Sequence, residues 1–410
     1  MEELIRDRIH EALEVERTPS SLRARVMDSL PVDAERAWPR PALRLTGQSV
    51  AGLVAILLAV AIIAGLLYTR GLMPFIPAHR QVPLGAGLIS PDGVAIGPDG
   101  SVYLSDFLGD RVFRVRPDGR VVVYAGGGSA GDGQALKASL FHPAGLALDH
   151  EGNLYVADTP GGALRKVDAR GNISTVGDPS GQPYGFGSPQ GLAVDSHDAL
   201  WFSEGYGTVG GIDIGTRGAR VDGSSLPPPG WVPGYIAFDA ADNLFISDRA
   251  PAIATSTIYI NPPGGGCRIV RLSPDRRLSV VAGTGVCGFS GDGGPASRAQ
   301  INDPGGIAFD AAGNLYFADS NNHRIRRIDA HGVITTVAGT GVRGYVDGDA
   351  GQAQLQFPFG VAMSRSGRLY FADMTCQCWD PAAPGRLRVL NLANGKISTV
   401  MDGQTPIQAT

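Results

Sequence analysis

Six acidic side chains recur at one fixed offset along this chain. The pattern Pro-x-Gly-apolar-Ala begins at Pro91, Pro143, Pro189, Pro304 and Pro358, and recurs at Pro233 with Tyr235 in the glycine place. Thirteen residues beyond the glycine place an acid stands each time: Asp106, Asp158, Glu204, Asp248, Asp319 and Asp373. Carboxylates in such a set could act as general acids or bases, or as metal ligands. Six equivalent positions argue instead for a structural task, with each acid bonding the amides of the turn that follows it. A catalytic residue would break the repeat. Residues that differ between copies are therefore the better binding candidates. Just before the glycine place stand Asp92, Ala144, Gln190, Gly234, Gly305 and Phe359, of which Asp92 and Gln190 can coordinate a ligand. His142, His323, Arg324 and Trp379 fall in the loops of the same end, and with Asp92, Gln190 and Phe359 they form the candidate binding set. Asp292, Asp347 and Asp349 lie in Gly-Asp-rich segments but lack the run of alternating acids that holds calcium, so they read as tight polar turns. Nothing shows a Ser-His-Asp, Cys-His or phosphate-loop pattern, and no cofactor is implied.

The elements that must position these residues are short strands. From Pro304 to Gly339 the chain alternates brief apolar runs with Gly, Asn and Asp turns, which predicts a four-stranded antiparallel meander. Its first two strands do not alternate and need cover on both faces. Arg324, Ile325 and Arg326 alternate, as on a strand with one wet face. A single meander cannot cover itself, so the repeat implies radial stacking: an all-β, six-bladed β-propeller. Spacing between repeat starts varies from 44 to 71 residues, which places the variation in connections. The long connectors after blades one, four and five, and the swollen loops 249–266 and 374–385, all lie on one face, called the top. Loops longer than a fold needs are where binding resides, or where repeats accumulate harmless insertions; both readings stay open.

GNLYFADSNNHRIRRID and GNLYVADTPGGALRKVD resemble the NHL repeat consensus, and the resemblance covers about Ser90 to Gly403. It implies an NHL-type propeller over 89–403, with 404–410 as a tail, and leaves function unspecified, because such propellers serve as binding platforms, sensors, lyases and lactonases. Gluconolactonase-like members hold a divalent metal with acids and amides at the starts of inner strands; here only Asp92 and Gln190 qualify. Amidating lyases hold zinc with histidines; here His142 and His323 lie on the top face and come from distant blades. Blade three, ALWFSEGYGTVGGI, is similar to a repeat of streptogramin lyases.

Ahead of the propeller, 49–68 (SVAGLVAILLAVAIIAGLLY) carries no charge. At about 1.5 Å per residue it spans the ~30 Å hydrocarbon core, which predicts a transmembrane helix. Residues 1–48 read as a short, polar, helical segment, and 69–88 as a Pro/Gly-rich stalk in which Gln81–Leu84 could supply an outer strand to close the ring. Arg36, Arg40 and Arg44 precede the span and Arg70 and Arg80 follow it, a slight bias for a cytoplasmic N-terminus. All four cysteines lie beyond the span, which suits an oxidising compartment. Cys267 and Cys287 flank the two ends of the outer hairpin of blade four, so they are expected to pair; Cys376 and Cys378 would form a small reducible ring or stay as thiols.

The chain thus reads as a single-pass cell-membrane protein whose extracytoplasmic propeller binds a protein, peptide or glycan through its top face. The alternative is a metal-dependent lactonase- or lyase-like enzyme with its site over the central channel. With 35 Lys+Arg against 39 Asp+Glu, net −4, no nucleic-acid partner is indicated. Protease added to intact cells or spheroplasts should cut the propeller loops and spare 1–48; a propeller protected while a periplasmic control is digested would reverse the orientation.

Overall fold

The computed structural model describes residues 87–408, apart from 160–161, 178–187, 205–207, 214–218, 222–231, 250–252, 256–257, 261–265 and 375–383. The expected segment 1–48, the apolar span 49–68 and the stalk up to residue 86, Gln81–Leu84 included, lie outside these residues. Among the described residues no helix is long and apolar enough to cross a membrane.

Six antiparallel blade sheets follow one another along the chain, and a two-stranded sheet, Ile253–Thr255 with Ile258–Ile260, stands in the loop of blade 4. Blade 1 comprises Pro91–Ile96, Val102–Asp106, Arg111–Val115 and Val121–Gly126. Blade 2 comprises Pro143–Leu148, Leu154–Asp158, Ala163–Val167 and Asn172–Thr175. Blade 3 comprises Pro189–Val194, Ala199–Glu204, Thr208–Asp213 and Ala219–Val221. Blade 4 comprises Val232–Phe238, Leu244–Arg249, Arg268–Leu272 and Leu278–Ala282. Blade 5 comprises Pro304–Phe309, Leu315–Asp319, Arg324–Ile328 and Ile334–Ala338. Blade 6 comprises Pro358–Met363, Arg368–Asp373, Arg386–Asn391 and Lys396–Met401. Each inner strand contacts the inner strands of both neighbours, and blade 6 contacts blade 1, so the ring is closed. The core is one apolar layer per seam. Tyr103, Val112 and Leu140 meet Leu146 and Leu154 between blades 1 and 2. Leu88, Leu104 and Phe113 meet Leu387 and Met401 between blades 1 and 6.

Every inner strand shifts register near its glycine place, between Pro91 and Val94 in blade 1 and at the equivalent step in the other five. This bulge turns the glycine against the neighbouring inner strand. A Cβ on Gly93 would strike the Ala144 carbonyl, and one on Gly360 the Asp92 carbonyl. Hence glycine recurs there: the approach of backbone to backbone leaves no space for a side chain.

Five of the six repeated acids are buried, with Glu204 half-buried, and they are structural, but the partners differ from the expected ones. They accept amides from the segment that leads into their own blade, about seventeen residues upstream, and not from the turn that follows. Asp106 takes Ser90 N–H at 2.7 Å, Asp158 takes Phe141 N–H at 2.6 Å, and Asp319 takes Asn302 N–H at 2.7 Å. Asp373 takes both Gln356 and Phe357 N–H, at 2.9 and 2.8 Å. The register explains this, because the acid sits opposite the inner-strand proline, where the ladder has just begun and the preceding amides lack a strand partner.

An arginine then clasps the acid to the connector. Arg326 is fully buried, although alternation put it on a wet face. It joins Asp319 at 3.4 Å to Asp292 of the preceding connector at 2.8 Å. Arg388 joins Asp373 and Asp347 in the same way at 2.8 and 2.7 Å, and Arg165 joins Asp158 and Asp132 at 3.6 and 3.0 Å. The Gly-Asp segments are therefore charge partners as well as turns. Blades 1 and 3 hold Phe113 and Gly210 at the arginine's place, and blade 4 departs from the pattern as well. Val270 holds the arginine's place, and one Asp248 oxygen is buried without a hydrogen-bond partner among the described residues. Burial pushes the Asp248 carboxyl up to about 6.

Connectors also cover outer edges. Gly133–Gln134 pairs with the fourth strand of blade 2, and Gly348–Asp349 with that of blade 6. At the outer edge of blade 1 the described residue is Gln408, whose N–H bonds the Val121 carbonyl at 2.9 Å and which bridges in parallel to Val122. Blades 1 and 6 each keep four strands of their own, and Gly385 N–H reaches the Ile89 carbonyl at 3.0 Å across their seam. The Cys267–Cys287 disulfide forms, with the two Cα atoms 5.2 Å apart. Cys376 and Cys378 lie outside the described residues.

Asp319→Ala should destabilise the propeller by about 1–3 kcal/mol, since it strands the Asn302 amide and half of the Arg326 clasp. Asp248→Asn should be neutral or stabilising at pH 7.5. The wild-type carboxyl binds its proton more tightly folded than unfolded, so its contribution is full below pH 4 and lost as pH rises through about 6. The variant's advantage should therefore shrink between pH 6 and 4. Thermal denaturation across that range checks both; equal losses in the two variants would refute the difference between clasped and unclasped acids.

Candidate functional site at the channel mouth

The six inner strands start at the top of the central channel. Blade 1 contributes Asp92 there, and blade 6 contributes Phe359, both from the position before the glycine place. Blade 4 contributes Tyr235 from the glycine place itself, with Arg249 from the end of its second strand. Asp303 closes the connector into blade 5, in a left-handed backbone conformation (φ 53°) that aspartate tolerates better than most residues.

Blades 1 and 4 stand opposite each other in a six-membered ring. The Tyr235 hydroxyl nevertheless bonds Asp92 Oδ1, so the phenol spans the channel. Its ring meets Phe359 edge to face, with centroids 5.3 Å apart. Phe357 stacks beside Phe359 at 5.8 Å. Arg249 lies over the Phe359 face at 4.7 Å and forms a two-pronged pair with Asp303, Nε to Oδ1 at 2.8 Å and a terminal nitrogen to Oδ2 at 3.1 Å. That pair bridges blade 4 to blade 5.

The electrostatics follow from burial. Asp92 is 7% exposed. Its carboxyl is pushed up to about 6 by desolvation, against the opposing pull of the Tyr235 hydroxyl and the Arg249 charge. Burial and the nearby carboxylate push the Tyr235 phenol far above its ordinary range. Burial works against the Arg249 charge, but Asp303 outweighs it and raises the guanidinium further. The mouth therefore offers one carboxyl that titrates near neutrality, one permanently charged guanidinium and three aromatic rings.

Of the sequence candidates, Asp92 and Phe359 meet here. Gln190 holds the equivalent strand position in blade 3 and is partly exposed. The others serve the loops. His142 is stacked against Phe107 and Phe141 at 4.6 Å each, and its backbone N–H donates to Asp110 Oδ1 at 2.8 Å. His323 Nδ1 meets the Gln356 carbonyl at 2.7 Å, and burial lowers its basicity. Arg324 bonds the Asn322 and Thr340 carbonyls at 2.9 and 2.8 Å and lies 3.7 Å over the Phe289 ring. Trp379 lies outside the described residues. Among the described residues no group of three or more His, Cys, Asp or Glu is placed to hold a metal. Sequence reasoning did not select Tyr235, Arg249 or Asp303. The signal for Tyr235 was present as the sole departure from glycine in six copies. Arg249 follows a blade acid where other blades have Phe107, Thr159, Ser320 and Met374.

A family model for the teneurin NHL domain matches residues 126–184 and 240–346. Over these two stretches the propeller is similar to NHL domains. Among curated proteins, the chain is 27% identical over 273 residues to the SUPPRESSOR OF QUENCHING 1 protein of Arabidopsis thaliana, a match covering 59% of this chain and 25% of that one. It is 29% identical over 216 residues to teneurin-1 of Gallus gallus, covering 51% of this chain and 6% of that one. The chain thus spans a quarter or less of these relatives. Among solved structures it is similar to a protein of unknown function from Bacteroides thetaiotaomicron, with a TM-score of 0.55 and 16% identity over 76% of this chain and 69% of that one. It is also similar to an auxiliary nutrient binding protein from the same organism, with a TM-score of 0.53 and 17% identity over 76% and 68%.

Tyr235→Phe should raise the Asp92 titration above about 6, because the hydroxyl is the hydrogen bond that favours the ionised form. Carboxyl-carbon NMR titration of the two proteins, with Asp92→Asn for assignment, checks this; an unmoved or lowered midpoint would show that the bond across the channel does not form in solution.

Proposed function

We propose that this NHL propeller is a ligand-binding module, held at a membrane by 49–68 and displayed outside the cytoplasm, which engages a protein, peptide or glycan at its channel mouth and neighbouring top-face loops. One observation carries the reading: the mouth is where the repeat breaks its own symmetry. Asp92, Tyr235, Arg249 and Phe359 each replace a different residue at equivalent positions of other blades, and they converge on one point. A fold needs no such departure, whereas a site does. Support also comes from the fold neighbour described as a nutrient binding protein, which names ligand holding as one use of the architecture.

A metal-dependent hydrolase at the same mouth would need more ligands than Asp92 and Gln190 supply from the inner strands. The experiment is capture of peptides and glycans on arrays by the full-length chain in detergent, with and without chelator, alongside its metal content. Binding should survive chelation and fall at least tenfold in Arg249→Ala, which opens the blade 4–5 bridge at the mouth. Stoichiometric metal, with binding lost to chelator, would favour the hydrolase. Binding insensitive to Arg249→Ala would move the site away from the mouth.

A further inference from the structure

We infer that the channel mouth recognises a cationic group, a protonated amine or a guanidinium, with Asp92 as its counter-charge. The inference rests on the mouth being the binding site. It begins with how the charges there are spent. Arg249 gives both arms of its guanidinium fork to Asp303, at 2.8 and 3.1 Å. Asp92 is bonded through one oxygen to a neutral phenol. One carboxylate in the group is thus left without a cation bonded to it, in a place where only 7% of its surface is open. Burying a carboxylate that way is unfavourable unless something else completes it.

The fold does not ask for this acid. The five equivalent positions hold Ala144, Gln190, Gly234, Gly305 and Phe359. Nor does it ask for Tyr235, since the other five blades have glycine there, packed against the next backbone without space for a Cβ. The tyrosine's effect is to carry a hydroxyl and a π face across the channel to Asp92. Phe359 and Phe357 add two more rings. An acid flanked by aromatic rings is the chemistry that seats an organic cation, through charge on one side and the ring quadrupole on the other. The chain shows the pairing with its own residue: the Arg249 guanidinium lies 4.7 Å over Phe359 beside Asp92. An anion would meet two carboxylates and would have to displace Asp303 to reach Arg249.

The test uses the full-length chain in detergent micelles and three probes of one shape, benzylamine, benzyl alcohol and benzoate, read by saturation-transfer NMR at pH 7.5. Benzylamine should give signals at least fivefold stronger than benzyl alcohol, and Asp92→Asn should abolish the difference. Asn is isosteric and removes a buried charge, so the variant should fold; its melting temperature verifies this. Tyr235→Phe keeps the acid and should keep benzylamine binding, with its pH midpoint moved upward. Lowering the pH to 5 should weaken benzylamine in the wild type as Asp92 takes up its proton. The groups facing Asp92 from blade 4 are the Tyr235 phenol and the Arg249 guanidinium, both shifted away from that range, with Asp303 behind Arg249. Preference for benzoate, lost in Arg249→Ala, would overturn the inference in favour of an anion site. Equal binding of benzyl alcohol, or silence of all three probes, would overturn it as well. The mouth as binding site fails only if the array ligands also ignore Arg249→Ala.

Discussion

The buried carboxylate that takes the amides entering blades 1, 2, 4, 5 and 6 is the bond on which the propeller depends. A strand entering a sheet from a connector brings N–H groups that no ladder satisfies, and inside a seam water does not reach them. Asp106, Asp158, Asp319 and Asp373 supply the acceptor. In doing so each fixes where the connector ends and the blade begins. The arginine that neutralises the acid in blades 2, 5 and 6 reaches on to the connector's own acid, so one guanidinium sets the path of some thirty residues. A buried pair of this sort is weak evidence for net stability and better evidence for geometry: it penalises every arrangement in which the connector is elsewhere.

Much of this was legible in the sequence. The six repeats, their strand ends and the meander of blade 5 follow from periodicity and turn chemistry, which are local. The Cys267–Cys287 pairing was also legible, because it depends on one hairpin. The partners of the repeated acids were not. The amides lie some seventeen residues upstream, and only the antiparallel register brings them opposite. Arg326 misled for a similar reason: alternation reports which face a residue is on, and what covers that face belongs to a neighbouring segment.

The mouth shows the same division. Asp92 and Phe359 could be selected because equivalent positions can be compared along the chain. Tyr235 was visible as an exception, but its meaning needed the ring, since residue 235 meets residue 92 only when blades 1 and 4 face each other. Arg249 opens the long 249–266 loop of blade 4 while Asp303 closes the connector into blade 5, and they meet across a seam, a proximity that no spacing rule expresses. Blade 4, like blades 1 and 3, has no clasp arginine at that strand position, and among the described residues it is the blade that carries a disulfide.

The pairing of Gln408 with the edge of blade 1 has a topological consequence. Five connectors join neighbouring blades through the chain, but blades 6 and 1 are joined by contacts alone, with Gly87 lying against Gly403. The start of the ring therefore lies beside residue 403, and the residues beyond it run on to the edge of blade 1 at Gln408. A permuted chain that joins these ends and opens a connector elsewhere would keep every blade and every clasp, and would only change which seam lacks a covalent link. Conversely, tension applied through residue 87 acts first on the seam between blades 6 and 1, which is held by side-chain contacts and the Gln408 pairing, so the ring's mechanical weak point is set by where the first blade starts.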